Sequence, residues 1–381
     1  MVGLNRVEII GAGPAGLCAA ILLKNLSPRI DVCVTEQNPA QATFGFGVVF
    51  SDQALDFLQA DDPETHALIT PQMERWRDLR ISLDGKTITL DGIGFAAIGR
   101  ACLLELLQSC ASEIGVEMRF FQRLESLQGI EQAADLIVGA DGLNSLVRRC
   151  HEASFLPTLE PFGNYFAWFG SPRAFDKLTQ TFIRGPHGEL NAHHYRYAPG
   201  MSTFIVECDA AGFEAYDFAE MDEKHSAEKC PELFADTLGG APLLTNKSEW
   251  RRFPRLWCGG WICDNRVLLG DAAHSAHYSI GSGTRLVFED AIALVNALAR
   301  ENELPTALAL YQQQRMPVAR KLLDAANASA RWYQGFREKM TLPLPAFAFS
   351  YLTRSGRLDL ERMRQLSPEF MRDYDEFRRR E

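Results

Sequence analysis

The sequence predicts an α/β fold: an open, mostly parallel sheet flanked by helices, joined to an antiparallel sheet and a helical tail. Three observations predict it. A strand, a glycine-rich turn, a helix and a second strand follow one another near the amino terminus. Two later strands each end in a glycine-containing turn with an aspartate, and between them lie short β-rich runs separated by turns. A length of 381 residues is enough for two or three domains.

The amino-terminal segment has the parts of a dinucleotide-binding βαβ unit. The apolar strand 7–10 runs into "GAGPAG", an apolar helix follows, and a second strand ends at Glu36, about 20 residues after the turn. In this arrangement Gly11 allows the tight turn, Gly13 lets the backbone approach a pyrophosphate, and Gly16 lets helix and strand pack closely. The helix then directs free N–H groups at the phosphates, and the Glu36 carboxylate accepts ribose hydroxyls. The motif alone leaves NAD and FAD both open.

The two later strands place carboxylates at the same kind of position. The strand in "ADLIVGADG" leads to Asp141, and the strand in "RVLLGDAAH" leads to Asp271. Both side chains are expected at the carboxyl edge of the sheet, where such folds bind ligands. Helical spacing of apolar residues predicts a helix over 288–298, so the loop 281–284 presents backbone N–H groups near a helix amino terminus.

Composition excludes several function classes. A formal net charge of −10 argues against nucleic acid as a partner, because such binding depends on phosphate neutralisation. Nine cysteines occur without the Cys/His spacing of a zinc site, so we expect free thiols and no metal. No secretory leader precedes Val7, and no apolar run reaches the roughly 18 residues of a membrane span. We therefore expect a cytoplasmic protein without a membrane partner.

Taken together, the motifs resemble flavin-dependent aromatic hydroxylases of the single-component class. "GAGPAG", "GADGLNSLVRR" and "GDAAH…GSGT…EDA" occur in that family's order and approximate spacing. The resemblance implies a p-hydroxybenzoate hydroxylase-type fold, an extended FAD held by both glycine loops, NADH or NADPH as electron donor, and O2 as co-substrate. The positions it implies for cofactor binding are Gly11, Gly13, Pro14, Ala15, Gly16, Glu36, Gln37, Gly47, Val48, Arg100, Asp141, Asp271, Gly281, Ser282, Gly283 and Thr284.

Four segments resemble a smaller group within that class. "TFGFGVVFSDQAL", "NYFAWFGS", "STFIVEC" and "HSAHYSIGSGT" look like segments of salicylyl-CoA 5-hydroxylases and of the monooxygenase half of 2-aminobenzoyl-CoA monooxygenase/reductase. The resemblance implies a CoA thioester of an electron-rich ring as substrate, with salicylyl-CoA hydroxylated at C5. A hydroxylase of an indole or other free aromatic is one alternative, and a flavoprotein that only reduces or senses is another. No reductase domain precedes the end at Glu381, so we expect hydroxylation without a second reaction.

The domain organisation follows from the order of these motifs. We expect an FAD domain from 1–75, 95–160 and 255–300, a substrate-binding antiparallel sheet from 76–94 and 161–254, and a helical segment over 301–381. The helical tail is expected either to cap the FAD domain or to make a subunit contact in a homodimer.

Candidate residues on the substrate side come from the sheet and from the second glycine loop. Strand alternation in "NAHHYRYA" separates His193 and Tyr195 from His194. The candidates for polarising the substrate are His194, Tyr195, His277 and Tyr278, with a purely structural role as the alternative for a histidine in a strand. Candidates for substrate binding are Phe46 and Phe50 over the ring, and Arg251 and Arg252 of "WRRFPR" on the CoA phosphates. A core strand and a solvated face are the respective alternatives.

Overall fold

The structure is a computed structural model, which describes residues 1–380. Its strands are β1 (Arg6–Ile10), β2 (Asp31–Thr35), β3 (Gly47–Ser51), β4 (Glu74–Trp76), β5 (Leu79–Leu83), β6 (Lys86–Leu90), β7 (Phe95–Gly99), β8 (Glu117–Arg119), β9 (Leu136–Gly139), β10 (Pro157–Ser171), β11 (Leu178–Gly185), β12 (Gly188–Ala198), β13 (Met201–Cys208), β14 (Arg251–Cys258), β15 (Ile262–Cys263) and β16 (Arg266–Leu268). Its helices are α1 (Pro14–Leu26), α2 (Asp52–Asp61), α3 (Pro63–Ile69), α4 (Arg100–Glu113), α5 (Ile130–Ala133), α6 (Leu146–Cys150), α7 (Glu152–Phe155), α8 (Ala210–Ala215), α9 (Glu223–Leu233), α10 (Ala235–Leu238), α11 (Gly283–Arg300), α12 (Leu304–Gln334), α13 (Phe336–Lys339), α14 (Leu344–Thr353), α15 (Leu360–Leu366) and α16 (Pro368–Arg380). Short 3-10 turns occupy Thr70–Gln72, Phe218–Glu220, Gly270–Ala272 and Tyr278–Ile280.

A six-stranded sheet forms the predicted parallel core, in the order β15-β16-β9-β1-β2-β8. All its pairings are parallel except that of the edge strand β15 with β16. The strands β1, β9 and β16 are almost wholly buried and rich in Val, Ile and Leu, as expected for a sheet covered on both faces. Because these strands are parallel, the turns that follow β1, β2, β9 and β16 meet at one edge. The predicted α/β class is therefore confirmed.

A seven-stranded sheet carries the middle of the chain, in the order β14-β10-β13-β12-β11-β5-β6. Its pairings are antiparallel except for β11 with β5, which are parallel. The strands β5 and β6 come from the predicted segment 76–94, whereas β10 and β14 each extend across a predicted domain boundary. The exact boundaries stay a prediction.

A three-stranded sheet, β3-β7-β4, stands between the two larger sheets. The strand β7 ends at Gly99, and α4 begins at the next residue, Arg100. The strand β3 approaches the seven-stranded sheet closely: a Cβ added to Gly47 would meet the ring of Tyr197 at 2.6–2.8 Å. Both β3 and the start of α4 thus lie where the two larger sheets meet.

The helical tail packs on both halves of the molecule. The first part of α12 joins the apolar core around the six-stranded sheet through Leu308 and Tyr311. Its end, with α14 and α16, packs on the seven-stranded sheet, where the Phe182 ring lies 4.9 Å from that of Phe347. Within residues 1–380, no helix combines the length and the apolar character needed to span a membrane.

Candidate flavin and substrate site

Two neighbouring cavities lie at the carboxyl edge of the six-stranded sheet, and the inner one reaches the seven-stranded sheet. The outer cavity, of about 380 Å³, is bounded by the turns that follow β1, β2 and β9. The inner cavity, of about 190 Å³, is bounded by β3, by one face of the seven-stranded sheet and by the loop before α11. Pro14 and Arg100 line both cavities, so the two form one elongated space.

The first glycine turn leaves the amino terminus of α1 open to this space. Gly11 has φ of +107°, and a Cβ there would collide with the backbone of Ala140. A Cβ at Gly16 would collide with the Gly11 carbonyl, whereas one at Gly13 would meet nothing within 4 Å. Gly11 and Gly16 are therefore required by packing, and Gly13 leaves room for a ligand to approach the backbone.

The first acidic side chain braces the glycine turn. Glu36 lines the outer cavity with Gln37, and its Oε2 accepts a hydrogen bond from the Ala12 N–H at 3.0 Å. Its Oε1 accepts from the backbone N–H and the side-chain amide of Asn38 at 2.9 and 2.7 Å. The carboxylate is thereby fixed at the end of β2.

Asp141, after β9, has one satisfied oxygen and one free oxygen. Its Oδ2 accepts from the Leu146 N–H at 2.6 Å at the start of α6. Its Oδ1 is buried without a partner among residues 1–380, and the residue lines the outer cavity. Burial raises the pKa of Asp141. An unpartnered buried oxygen calls for a hydrogen-bond donor, which a ligand in this cavity would supply.

Asp271, in the turn after β16, faces the inner cavity together with Arg100. Burial raises the pKa of Asp271, while the charges of His274 and Arg100 favour its ionised form. Burial likewise lowers the pKa of the Arg100 guanidinium, which Asp271 opposes. The main chain of Arg100 is fixed by an N–H bond to the Phe46 carbonyl at 2.7 Å.

A buried charge network, which the sequence reasoning missed, holds the Asp271 turn in place. Asp290 of α11 accepts from the Gly270 N–H at 2.9 Å and from His274 Nε2 at 2.8 Å. Its other oxygen accepts from Arg315 Nε of α12 at 2.6 Å. Despite burial, the charges of His274 and Arg315 lower the pKa of Asp290 to about 2. The signal was present as the aspartate of "EDA", one turn inside the predicted helix.

The second glycine loop places a helix amino terminus at the inner cavity. The helix α11 begins at Gly283, five residues before the predicted start, and no side chain caps it at Ser282. Gly281 has φ of +62°, and a Cβ there would lie 2.9 Å from a methyl group of Val49. Gly281, Gly283 and Thr284 line the inner cavity, so the uncapped N–H groups of the first turn adjoin it.

The strand β12 presents His193 and Tyr195 to the inner cavity and turns His194 away. On the opposite face, His194 packs between Phe175 and Phe204, with ring centroids 4.0 and 5.3 Å away, and hydrogen-bonds Thr181. The prediction that His194 polarises the substrate is therefore corrected: the residue that shares the cavity face with Tyr195 is His193.

The polar groups of that face differ in what they can offer a ligand. Tyr195 donates its hydroxyl to the Gly47 carbonyl at 2.7 Å, so it is already engaged. Both ring nitrogens of His193 are buried without a partner among residues 1–380. Burial, helped by the charge of Arg354, lowers the pKa of His193 to about 3, so the ring is neutral. A neutral imidazole can both donate and accept.

Of the adjacent pair 277–278, only Tyr278 reaches the inner cavity. Its hydroxyl donates to Glu207 Oε2 at 2.6 Å. His277 lies behind it, against the rings of Phe162 and Phe253 at 5.4 and 4.9 Å, and burial lowers its pKa to about 3. The prediction of a substrate-side role for His277 is corrected, because the 3-10 turn at 278–280 directs its ring into the protein.

The predicted aromatic cover of the flavin is also corrected. Phe50 is 1% exposed and stacks on Phe288 of α11, at 6.2 Å between centroids. Phe46 packs over Gly170 outside both cavities. Phe50 thus packs against α11 and Phe46 against β10, so neither ring lines the inner cavity. Val48 and Val49 of β3 line it instead. The aromatic wall comes from Trp168, Tyr195, Phe253 and Tyr278.

The two arginines that open β14 lie outside both cavities on the exposed side. The Arg251 guanidinium lies 5.6 Å from the centre of the Phe166 ring, and its charge acts on Arg100 of the inner cavity. Arg252 donates to the Phe162 carbonyl at 2.6 Å. Arg251 has no ion pair within residues 1–380, so its charge is free for a ligand.

Comparison with known proteins shows the family of this chain. The model of the "FAD binding domain" family matches residues 5–326. The chain belongs to this FAD-binding family. It is an FAD-dependent aromatic monooxygenase, with NADH or NADPH as electron donor, as in related flavin hydroxylases.

This enzyme is similar to two curated relatives and to one solved structure. A salicyloyl-CoA 5-hydroxylase from a Streptomyces species is 40% identical over 361 residues, covering 92% of this chain and 70% of that protein. A 3-hydroxy-4-methyl-anthranilyl-[aryl-carrier protein] 5-monooxygenase from Streptosporangium sibiricum is 32% identical, with 93% and 95% covered. Among solved structures, Pseudomonas aeruginosa PqsL in complex with 2-aminobenzoylacetate has a TM-score of 0.70 at 22% identity, covering 92% and 100%. This last likeness supports the p-hydroxybenzoate hydroxylase-type fold.

The residues of the flavoenzyme fit an extended FAD. The open amino terminus of α1 suits a pyrophosphate, and the free Oδ1 of Asp141 suits a donor on the cofactor. An anionic flavin ring at the uncapped start of α11 would be stabilised by its N–H groups and dipole. Sequence reasoning missed six residues that either line the inner cavity or hold its lining residues in place. They are Trp168, Ile205, Glu207, Phe253, Asp290 and Arg315.

Proposed function

We propose that this flavoenzyme hydroxylates the aromatic ring of a CoA thioester, with salicylyl-CoA as substrate and C5 as the position attacked. The observation that carries the proposal is the inner cavity. It combines aromatic walls with two polar side chains, neutral His193 and Tyr278, that line the same space. The 40% identity to a salicyloyl-CoA 5-hydroxylase supports the same substrate.

In the proposed reaction the cofactor supplies an electrophilic oxygen once NAD(P)H has reduced it and O2 has reacted. The protein's own groups orient the ring. His193 and Tyr278 hold the ring hydroxyl, and C5 is para to that hydroxyl, the position where the ring is richest in electrons. Trp168 and Phe253 enclose the ring and exclude water, which protects the reactive oxygen from wasteful breakdown.

We assign the cofactor contacts of this reaction as follows. Gly13 and Pro14 at the start of α1 bind the pyrophosphate, and Glu36 with Gln37 binds the adenosine ribose. Asp141, Arg100 and Asp271 line the middle of the cofactor. The remaining assigned contacts, from packing turns and backbone near the ring, are Gly11, Ala15, Gly16, Gly47, Val48, Gly281, Ser282, Gly283 and Thr284.

Product analysis tests the substrate assignment. Purified enzyme with FAD is supplied with NADH or NADPH and, separately, salicylyl-CoA, free salicylate, 2-aminobenzoyl-CoA and tryptophan derivatives. We expect coupled NAD(P)H oxidation and a product heavier by one oxygen only with the thioesters, and fastest with salicylyl-CoA. Equal rates with free salicylate would contradict the thioester requirement. 2-Aminobenzoyl-CoA is the second candidate, since the anthranilyl-type relative is 32% identical and an amino group also enriches the ring.

The unpaired charge of Arg251 supports its assignment to the CoA phosphates. Replacing it, Arg251→Ala, should raise KM for salicylyl-CoA about tenfold and leave kcat within twofold, because the phosphates are remote from the ring. Arg252→Ala should have a smaller effect, since that side chain already bonds a carbonyl. Arg300→Ala, an exposed arginine at the end of α11, is the matched control. Unchanged KM in Arg251→Ala would remove this residue from the substrate site.

We place this reaction in the cytoplasm, where NAD(P)H and CoA thioesters are supplied. Gel filtration of the holoenzyme distinguishes a monomer from the homodimer that the sequence left open.

A further inference from the structure

Behind the inner cavity lies a carboxyl group that the proposed function does not use. Glu207 of β13 is 2% exposed and stands two residues from Ile205, which lines the cavity. Its Oε2 accepts from the Tyr278 hydroxyl at 2.6 Å, and its Oε1 accepts from the Asn164 amide at 2.7 Å. Tyr278 itself lines the cavity. One tyrosine therefore connects the substrate space to a buried carboxyl group.

The surroundings of Glu207 contain no compensating cation. Within residues 1–380 Glu207 forms no ion pair. The Asn164 amide that donates to it also donates to the Tyr333 carbonyl at 3.0 Å. The titratable groups that face it are Tyr278, Tyr333 and Cys208, all neutral at pH 7. Asp209, the nearest carboxylate along the chain, caps the start of α8 by accepting from the Gly212 N–H.

Arg354, a cation near Tyr333 and Tyr278, serves other groups. Arg354 donates to the Ser279 carbonyl at 2.8 Å and to the Ser329 hydroxyl at 3.0 Å. Its charge acts on His193, His277 and Tyr333. The titration of Glu207 is consequently dominated by burial, which raises its pKa to about 7. At neutral pH the carboxyl group can thus both take up and release a proton.

We propose that Glu207 is the proton acceptor for the substrate, acting through Tyr278. The ring hydroxyl gives its proton to the Tyr278 oxygen, while the Tyr278 proton passes to Glu207 Oε2. One O–H bond breaks and one forms at the tyrosine, so the net result is a substrate phenolate and a neutral carboxyl group. The inference rests on the proposed function, because the proton comes from the ring hydroxyl of an aryl thioester.

The other polar groups of the inner cavity are less suited to this step. His193 is a weak base, since its pKa is about 3, and the Tyr195 hydroxyl is engaged by the Gly47 carbonyl. Asp271 faces Arg100, at the end where the two cavities join. A phenolate directs more electron density to the para carbon than a phenol does. Glu207 is therefore a positioning residue for deprotonation, and Tyr278 is the group that touches the substrate.

The test is the ionisation of bound substrate. Salicylyl-CoA is added to the holoenzyme without NAD(P)H, and its phenolate is followed by difference absorbance from pH 5.5 to 9. In the wild type we expect ionisation with a midpoint near pH 7. Glu207→Gln keeps the shape and an acceptor for the Tyr278 hydroxyl but cannot take up the proton, so the phenolate should form at least tenfold more slowly after rapid mixing at pH 8. Tyr278→Phe should do the same.

Turnover provides the second readout. In the wild type kcat should rise through pH 7 and level off, whereas Glu207→Gln should lose this inflection and at least tenfold of kcat at pH 8. Glu207→Asp should keep the inflection at a reduced rate. The control is Glu189→Gln, a carboxylate of β12 paired with Arg337 on the outside, which should behave as wild type.

The outcomes separate the two proposals. If wild type ionises and hydroxylates salicylyl-CoA and Glu207→Gln forms the phenolate at the same rate and has the same pH profile of turnover, Glu207 has no part in the proton transfer. If wild type binds the thioester as a phenol at every pH yet hydroxylates it, the proton-transfer step is wrong and the function stands. If wild type neither binds nor hydroxylates the thioester, the proposed function fails, and the role of Glu207 with it.

Discussion

At the scale of single residues, the buried carboxyl group of Glu207 makes the stability of the fold depend on pH. Its pKa is raised by burial from 4.5 to about 7, so the folded chain keeps a proton that the unfolded chain releases. The free energy of unfolding should therefore fall between pH 4.5 and 7 and stay level above, relative to Glu207→Gln. The difference should approach about 3 kcal/mol at pH 8 and vanish near pH 4.5. Urea unfolding of both proteins at pH 5 and pH 8 measures it, and an equal difference at the two pH values would contradict the raised pKa.

Asp271 provides a second prediction at this scale, on cofactor retention. Its carboxylate faces Arg100 in the middle of the elongated cavity. Asp271→Ala should weaken FAD binding by about 1–2 kcal/mol, roughly tenfold in Kd, because a charged partner is lost near the cofactor. Quenching of flavin fluorescence on titration of apoprotein measures Kd. Asp236→Ala, on α10 far from both cavities, is the control, and a Kd equal to wild type in Asp271→Ala would remove the assigned role.

His193, and not the predicted His194, lines the inner cavity, and the sequence alone could not distinguish between them. Alternation along β12 correctly separates the two side chains onto opposite faces. Both faces are buried, however, one against the aromatic cluster of Phe175 and Phe204 and the other against the inner cavity. Because polar and apolar residues occur on each face, the strand pattern gives no sign of which face meets the ligand. That choice is made by the sheet's position against β3.

At the scale of elements, the ion-pair network of Arg315 fastens α12 and α11 to the Asp271 turn. Arg315 bonds Asp290 and Glu289, each at 2.6 Å, and all three are at most 5% exposed. Arg315→Ala removes the cation that two buried carboxylates share and leaves Glu289 with Arg285 and Asp290 with His274, which should cost about 3 kcal/mol of unfolding free energy. Arg320→Ala, at an exposed ion pair on the same helix, should cost less than about 1 kcal/mol. Denaturant unfolding of the two variants compares them, and similar losses would mean that the buried network adds no stability beyond a surface pair.

Elements whose ends carry their own signals were predictable, and the others were not. The strands β1, β2, β9 and β16 are mostly apolar runs that stop at a glycine or an acidic residue, and these stops are local sequence features. The start of α11 was predicted five residues late, because Gly283 and Thr284 have low helix propensity and the turn is held by packing against Val49. The position of the Phe50 ring depends in the same way on its contact with Phe288 of α11.

At the scale of the whole molecule, the order of glycine and aspartate motifs predicted the parallel sheet and the cofactor edge. The sequence assigned 76–94 and 161–254 to the second sheet but predicted only antiparallel pairing within it. The parallel pairing of β5 with β11 joins Leu79 to Leu178 across a long stretch of chain, and no local pattern specifies such a partner. The placement of α14 and α16 on β6 likewise depends on aromatic contacts that form only in the folded chain.

The shape of the elongated cavity predicts how the whole molecule binds its cofactor. The two halves of FAD should bind in separate but joined spaces. We expect the ADP half in the outer cavity and the flavin end in the inner one, beside the substrate, because Pro14 and Arg100 line both cavities. Since binding of one half places the other at high local concentration, FAD should bind apoprotein at least 100-fold more tightly than either piece alone. It should also raise the melting temperature more than both pieces together, because it stabilises both sheets at once. Calorimetric titration and thermal melts of apoprotein with FAD, ADP and riboflavin measure both effects. Gly13→Val, which places a side chain at the open start of α1, should weaken ADP and FAD but leave riboflavin unchanged. If riboflavin weakened equally, the cavities would not be divided in this way.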